Sequence, residues 1–159
     1  MKGLLNVEDP IIKYFSDYPE AGEIITIHHL LTHTSGIPSF TGFPDFQKTS
    51  MIPSSLEETI ARFKDKALEF TPGEKYNYSN SGYILLGAII EKVSGQSYEI
   101  FLKENIFQPL KMMNTGYDHH STILKDRAAG YCLSNEGLIN AAYKRTGDGS
   151  LFFTVWIIP

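Results

Sequence analysis

Cysteine is all but missing. Cys132 is the only one in 159 residues, so the chain closes no internal disulfide and builds no thiolate cage for a metal. Long apolar runs are missing too; none approaches the ~18 residues a membrane span needs. Positive charge is not in excess: 14 Lys+Arg against 18 Asp+Glu leave a formal net charge of −4. Neither nucleic acid nor an anionic membrane surface finds an electrostatic footprint on such a chain. The opening Met1-Lys2-Gly3-Leu4-Leu5-Asn6-Val7-Glu8 turns acidic too early for a signal peptide, which leaves the compartment open. No internal repeat or low-complexity tract occurs. What remains, 42% hydrophobic and 20% charged, is globular composition, and 159 residues make one domain or a piece of a larger one.

Local patterns predict a mostly helical chain. Pro10 stands near the start of a short helix that Pro19 and Gly22 close, and Thr26 is placed as N-cap for Ile27 to His33. Thr34-Ser35-Gly36-Ile37-Pro38 ends that helix with turn residues. Residues 39–53 predict an ordered surface loop pinned by Phe40, Phe43 and Phe46. Either Ser54 with Glu57 or Ser55 with Glu58 forms a capping box, and Leu56, Ile60 and Phe63 share one face of the helix it opens. Tyr83 to Val93 has almost no polar side, which predicts a buried helix stopped by Gly95. A second amphipathic helix covers Tyr98 to Phe107, before Pro109. Short mixed runs around Ser134-Asn135-Glu136-Gly137 fit a β-hairpin. The last nine residues, Leu151 to Pro159, are almost wholly apolar and uncharged.

Chemistry-bearing residues are sparse. His29 and His33 stand at i, i+4, but Leu30-Leu31 occupies the place where a zinc-protease helix carries its glutamate, so structural histidines are the better reading and no metal is assigned. His119-His120 fits a solvated turn. Ser35 and Ser79 are serines without a Gly-x-Ser-x-Gly elbow, and caps or turns explain each alone. Tyr78-Ser79-Asn80 differs in kind: a turn behind Pro72-Gly73 can hold a phenol and a carboxamide toward one cleft. A phenol shuttles protons near neutrality only where cations bring its ordinary pKa of ~10 down.

Two segments carry a resemblance. Ile25 to Gly36, containing His28-His29-Leu30-Leu31-Thr32-His33-Thr34-Ser35-Gly36, and Pro72 to Gly87, containing Tyr78-Ser79-Asn80, resemble in this order the serine β-lactamase-like family. That family includes class C β-lactamases, penicillin-binding D-alanyl-D-alanine carboxypeptidases and related esterases. The likeness runs on through Ile90 to Gly95 and Phe107 to Met112 and extends from Gly3 to about Thr154. It implies acyl-enzyme hydrolysis by a Ser-x-x-Lys pair, without cofactor, on a small acyl substrate: a β-lactam, a D-alanyl peptide or an ester. Carried over by residue, Tyr78 is the catalytic proton-transfer group, and Asn80 binds the substrate amide and orients the lysine.

The departures are equally specific. No serine in this sequence is followed three positions later by lysine; Ser121 and Lys125 stand one residue too far apart. In the family that motif lies upstream of the segment that begins here. Arg145-Thr146-Gly147 imitates the third family motif too soon after Tyr78, and Val155 to Pro159 abandons the pattern. The expectation is therefore a single partial domain over 1–159, mainly α with a small β-hairpin. It corresponds to the helical region of the β-lactamase/transpeptidase-like fold, with most of the central sheet missing. Such a chain is expected to be inactive alone and to self-associate through apolar surface left open beside the helix of residues 84–93. Relatives are often exported. The rival expectation is a non-catalytic binding or assembly module on the same scaffold.

Overall fold

Thr26 opens the first helix through a reciprocal pair of hydrogen bonds. Its Oγ1 accepts from the His29 N–H (3.3 Å), and its own N–H donates to His29 Nδ1 (3.2 Å), so histidine takes the part glutamate usually plays in a capping box. The helix, α1, spans Ile27–Leu31 in this computed structural model, which describes residues 3–50, 52–117, 123, 131–135, 137–140 and 155–157. The predicted extension to His33 fails because His33 takes a left-handed backbone with φ 56°. Upstream, a 3-10 turn at Ile11–Lys13 follows Pro10, and the chain before it runs beside the start of α1. The N–H groups of Ile27 and His28 donate to the carbonyls of Asp9 (3.1 Å) and Val7 (2.7 Å).

Asp9 fastens that lead-in. Its Oδ2 accepts from Lys13 Nζ (2.8 Å), Tyr14 Oη (2.7 Å) and the Asn6 N–H (2.9 Å), and these bonds, Lys13 first, hold its carboxyl at about 2. A carboxyl depressed in the folded state stabilises above its unfolded pKa and loses that contribution as pH falls through the folded value. Thermal melts of the wild type are therefore expected to lose stability between about pH 4 and 2, and Asp9→Asn to show a shallower acid loss over the same window. Identical acid limbs would contradict this.

The predicted aromatic loop is ordered as expected. It contains a 3-10 turn at Phe40–Gly42 and helix α2, Phe46–Thr49, with Phe40 and Phe46 buried edge-to-face at 5.7 Å. Of the two candidate capping boxes, Ser55 with Glu58 forms, and helix α3 covers Leu56–Ala61. Ser54 is otherwise engaged, accepting from Arg62 Nη2 (2.5 Å). Ile60 and Phe63 face the core, and Phe63 stacks on Phe40 at 6.0 Å.

Helix α4, Asn80–Ser94, is the centre of the molecule, with Ile84, Leu85, Ala88 and Ile89 buried against Leu30, Phe40 and Phe63 in one hydrophobic core. Gly95 ends it at φ 68°, the left-handed cap that glycine adopts without steric cost. One expectation is corrected here. The apolar face of α4 is not open, because α1, α3 and the turn at Phe40–Gly42 lie against it; Tyr83 and Lys92 mark its exposed side. Helix α5 covers only Tyr98–Leu102, and a π-helical turn continues it over Lys103–Phe107. Among the described residues no helix is long and apolar enough to cross a membrane.

Four short strands complete the described part. The hairpin lies where predicted: β2, Tyr131–Ser134, pairs antiparallel with β3, Gly137–Asn140. The other pair was not foreseen: β1, Thr115–Tyr117, pairs antiparallel with β4, Val155–Ile157, so the apolar tail contributes a strand. Exposed apolar side chains gather on the hairpin rather than on α4, with Leu133 (84% exposed) opposite Leu138 (76%). The readings of His119-His120, Ser121 with Lys125, and Arg145-Thr146-Gly147 fall outside the described residues.

Candidate active site

The two signature segments lie side by side. From His33 to Gly36 the chain runs along residues 69–77, with His33 O accepting from the Asn77 N–H (2.9 Å), Thr34 O from Gly73 (2.8 Å) and Gly36 O from Glu69 (2.8 Å). Gly36, at φ 74°, sits so close to the Phe70 carbonyl oxygen that a Cβ would overlap it. This approach sets Tyr78 beside the first segment.

The run Ser39-Phe40-Thr41 then covers the start of α4. Ser39 Oγ accepts from the Asn80 N–H (3.1 Å), taking a donor that a helix start leaves unpaired. Ser81 Oγ, fully buried, donates to Pro38 O (2.7 Å) and accepts from the Phe40 N–H (3.0 Å). Ser81→Ala strands two buried backbone groups at once and is expected to cost about 2 kcal/mol, read as a lower urea midpoint with unchanged slope. An unchanged midpoint would contradict it.

Tyr78 and Asn80 are brought together as the motif predicts. Tyr78 Oη donates to Asn80 Oδ1 (3.2 Å), and Asn80 Nδ2 donates to Thr41 Oγ1 (2.9 Å). The phenol is 56% exposed, not packed into the interior, and its oxygen keeps acceptor capacity after giving its proton to Asn80. Contrary to the expectation that it lies in the turn, Asn80 is the first residue of α4. Lys75, four residues before Ser79, lies over the Phe70 ring at 5.0 Å. An open depression of about 630 Å³ is lined by Glu69, Phe70, Lys75, Tyr76 and Asn77, immediately before Tyr78 in sequence. A cleft of about 340 Å³ between Phe15, Leu56, Ile60 and Ala88 shares no residue with this cluster.

The serines taken singly behave as structural residues. Ser35 is buried and its Oγ accepts from the Ile37 N–H (3.3 Å). Ser79, only 3% exposed, has a buried Oγ without a hydrogen-bond partner, so it is closed to a substrate. His29 and His33 do not form a ligand pair: Nδ1 of His29 serves the α1 cap, and Nδ1 of His33 accepts from the Ser79 N–H (3.2 Å). Sequence reasoning missed Ser39, Thr41 and Ser81 as supports of Asn80; the hydroxyl-rich run directly after the first signature segment was the available signal.

Comparisons with known proteins identify the family. A family model described as Beta-lactamase matches residues 1–155. Penicillin-binding protein 4* of Bacillus subtilis (strain 168) is 39% identical over 116 residues, 72% of this chain and 25% of that protein. Protein flp of Staphylococcus aureus (strain MRSA252) is 34% identical over 134 residues, 82% of this chain and 26% of that protein. The octameric penicillin-binding protein homologue from Pyrococcus abyssi superposes with TM-score 0.73 at 41% identity, covering 94% of this chain and 36% of that one. The D-amino acid amidase from Ochrobactrum anthropi SV3, complexed with D-phenylalanine, does so with TM-score 0.78 at 25% identity, covering 98% and 47%. The chain thus spans about a quarter of the length of the curated relatives it matches. On the matched family model and the relatives at this identity, the chain belongs to the beta-lactamase family.

Proposed function

We propose that these 159 residues carry the tyrosine–asparagine wall of a serine acyl-transfer site, in which Tyr78 assists proton transfer and Asn80 binds the substrate amide. The observation that supports this most is the chain of hydrogen bonds Tyr78–Asn80–Thr41, built from the second signature segment and the run that follows the first, and left open to solvent at Tyr78. The relatives named as penicillin-binding proteins and a D-amino acid amidase favour a substrate with an amide or lactam carbonyl beside a D-configured centre. The nucleophile and its lysine come from a Ser-x-x-Lys helix that these residues do not contain, so the chain alone is inactive. A fluorescent penicillin is expected to leave this polypeptide unlabelled and to label a version extended upstream through such a helix. Should the extended protein stay unlabelled and hydrolyse no acyl ester or amide, the hydrolase reading fails.

The exposed Leu133–Leu138 pair supports a second reading, in which the same scaffold serves assembly. A relative described as octameric is consistent with self-association. Light scattering at high concentration is expected to give a dimer or larger, and Leu133→Glu with Leu138→Lys to give a monomer. A wild-type monomer would contradict self-association.

A further inference from the structure

We propose that His33 is a positioning residue for Tyr78, gripping the chain on both sides of the phenol and packing against its ring. Its carbonyl accepts from the Asn77 N–H (2.9 Å) and its Nδ1 from the Ser79 N–H (3.2 Å), which are the residues immediately before and after Tyr78. The imidazole lies 4.4 Å from the Tyr78 ring, tilted by 37°, and 4.8 Å from the Tyr83 ring, stacked at 19°. Tyr83 is itself tied down, its Oη donating to Leu31 O (3.3 Å).

The left-handed backbone of His33 (φ 56°) is what turns one residue's carbonyl and ring toward the same target. A side chain fixed at neighbouring backbone positions and along one ring face loses most of its rotational freedom. For an exposed tyrosine this holds the oxygen at one place in the site instead of leaving it to sweep solvent. Neither the α1 cap nor the hydrophobic core needs this imidazole, since α1 ends at Leu31 and its cap uses Thr26 and His29. The same bond satisfies the Ser79 N–H, at the N-terminal flank of α4, from across the chain.

The catalytic part of this inference rests on the proposed acyl-transfer reading, and the test separates the two. His33→Gly removes the ring without straining the left-handed backbone, and His33→Asn restores an acceptor at nearly the position of Nδ1 while tolerating that backbone. In the 159-residue chain, nuclear magnetic resonance is expected to show ring contacts between His33 and Tyr78 and a slowly exchanging Ser79 amide. Exchange speeds at least tenfold in His33→Gly and recovers in His33→Asn. In the extended, penicillin-labelled protein, the acylation rate is expected to fall about 100-fold in His33→Gly with little change in penicillin binding, and His33→Asn to recover about tenfold of it. Absent ring contacts, an unaffected Ser79 amide, or a His33→Gly protein that acylates at the wild-type rate would overturn the positioning role. If the extended wild type does not acylate at all, the hydrolase reading fails, and the resonance measurements on the 159-residue chain still decide whether His33 holds Tyr78. Should His33→Gly not fold, the wild-type contacts and the His33→Asn rates carry the same decision.

Discussion

Gly36→Ala is expected to destabilise the chain by about 3 kcal/mol, a drop in melting temperature on the order of 10 °C for a protein of this size. Two costs combine. Alanine pays roughly 1 kcal/mol or more to enter the left-handed region that Gly36 occupies at φ 74°. Its Cβ also overlaps the Phe70 carbonyl oxygen, which is backbone and has no rotamer by which to move aside. Relief comes only by parting residues 33–36 from 69–77, which weakens the bonds from Glu69, Gly73 and Asn77 together. The effect therefore reaches the site as well: hydrogen exchange should quicken at those amides beyond what global destabilisation explains. A Gly36→Ala protein with wild-type melting would show that the two segments are not held in contact.

The largest expected effect on activity is at Tyr78. In a polypeptide extended to include the Ser-x-x-Lys helix, Tyr78→Phe is expected to lower the acylation rate by about 10²–10⁴-fold, the usual range for losing a positioned proton-transfer group. Folding should be untouched, because Tyr78 is exposed and, among the described residues, its hydroxyl bonds only to Asn80. On the proposed role of Asn80 as the donor to the substrate carbonyl, Asn80→Ala is expected to cost about 100-fold. It also breaks the bond to Thr41, so its thermal stability must be measured beside its rate. Tyr131→Phe, on the exposed hairpin, should leave the rate unchanged. An assembly module would respond the other way round, tolerating both site variants and failing when Leu133 or Leu138 becomes charged.

What could be read from the residues was what short-range physics decides. The apolar run at Ile84 to Ile90 becomes the buried centre of α4, Gly95 becomes its left-handed cap, and Ser134 pairs with Gly137 in a hairpin. Thr26 was legible as a cap, but its reciprocal partner, an imidazole instead of a carboxylate, was not. Long-range bonds set the remainder. α4 begins at Asn80 because Ser39, 41 residues away, supplies the oxygen its first N–H needs. Only the fold could choose between Ser54 and Ser55, since both precede a glutamate at capping distance and Arg62 claims Ser54. β1 and β4 are three residues each, too short to show alternation, and pair across about 40 positions of chain. At the site, the motif predicted Tyr78 with Asn80; the hydroxyls of Ser39, Thr41 and Ser81 and the grip of His33 arise from contact between distant segments.

Intact-protein mass spectrometry of the upstream-extended polypeptide after incubation with a penicillin weighs the whole proposal in one step. A stable adduct of one penicilloyl group, mapped to the serine of Ser-x-x-Lys and slow to form once Tyr78 is phenylalanine, is the predicted spectrum. Unmodified mass in the wild type, or equal adduct formation with and without the Tyr78 hydroxyl, would contradict it.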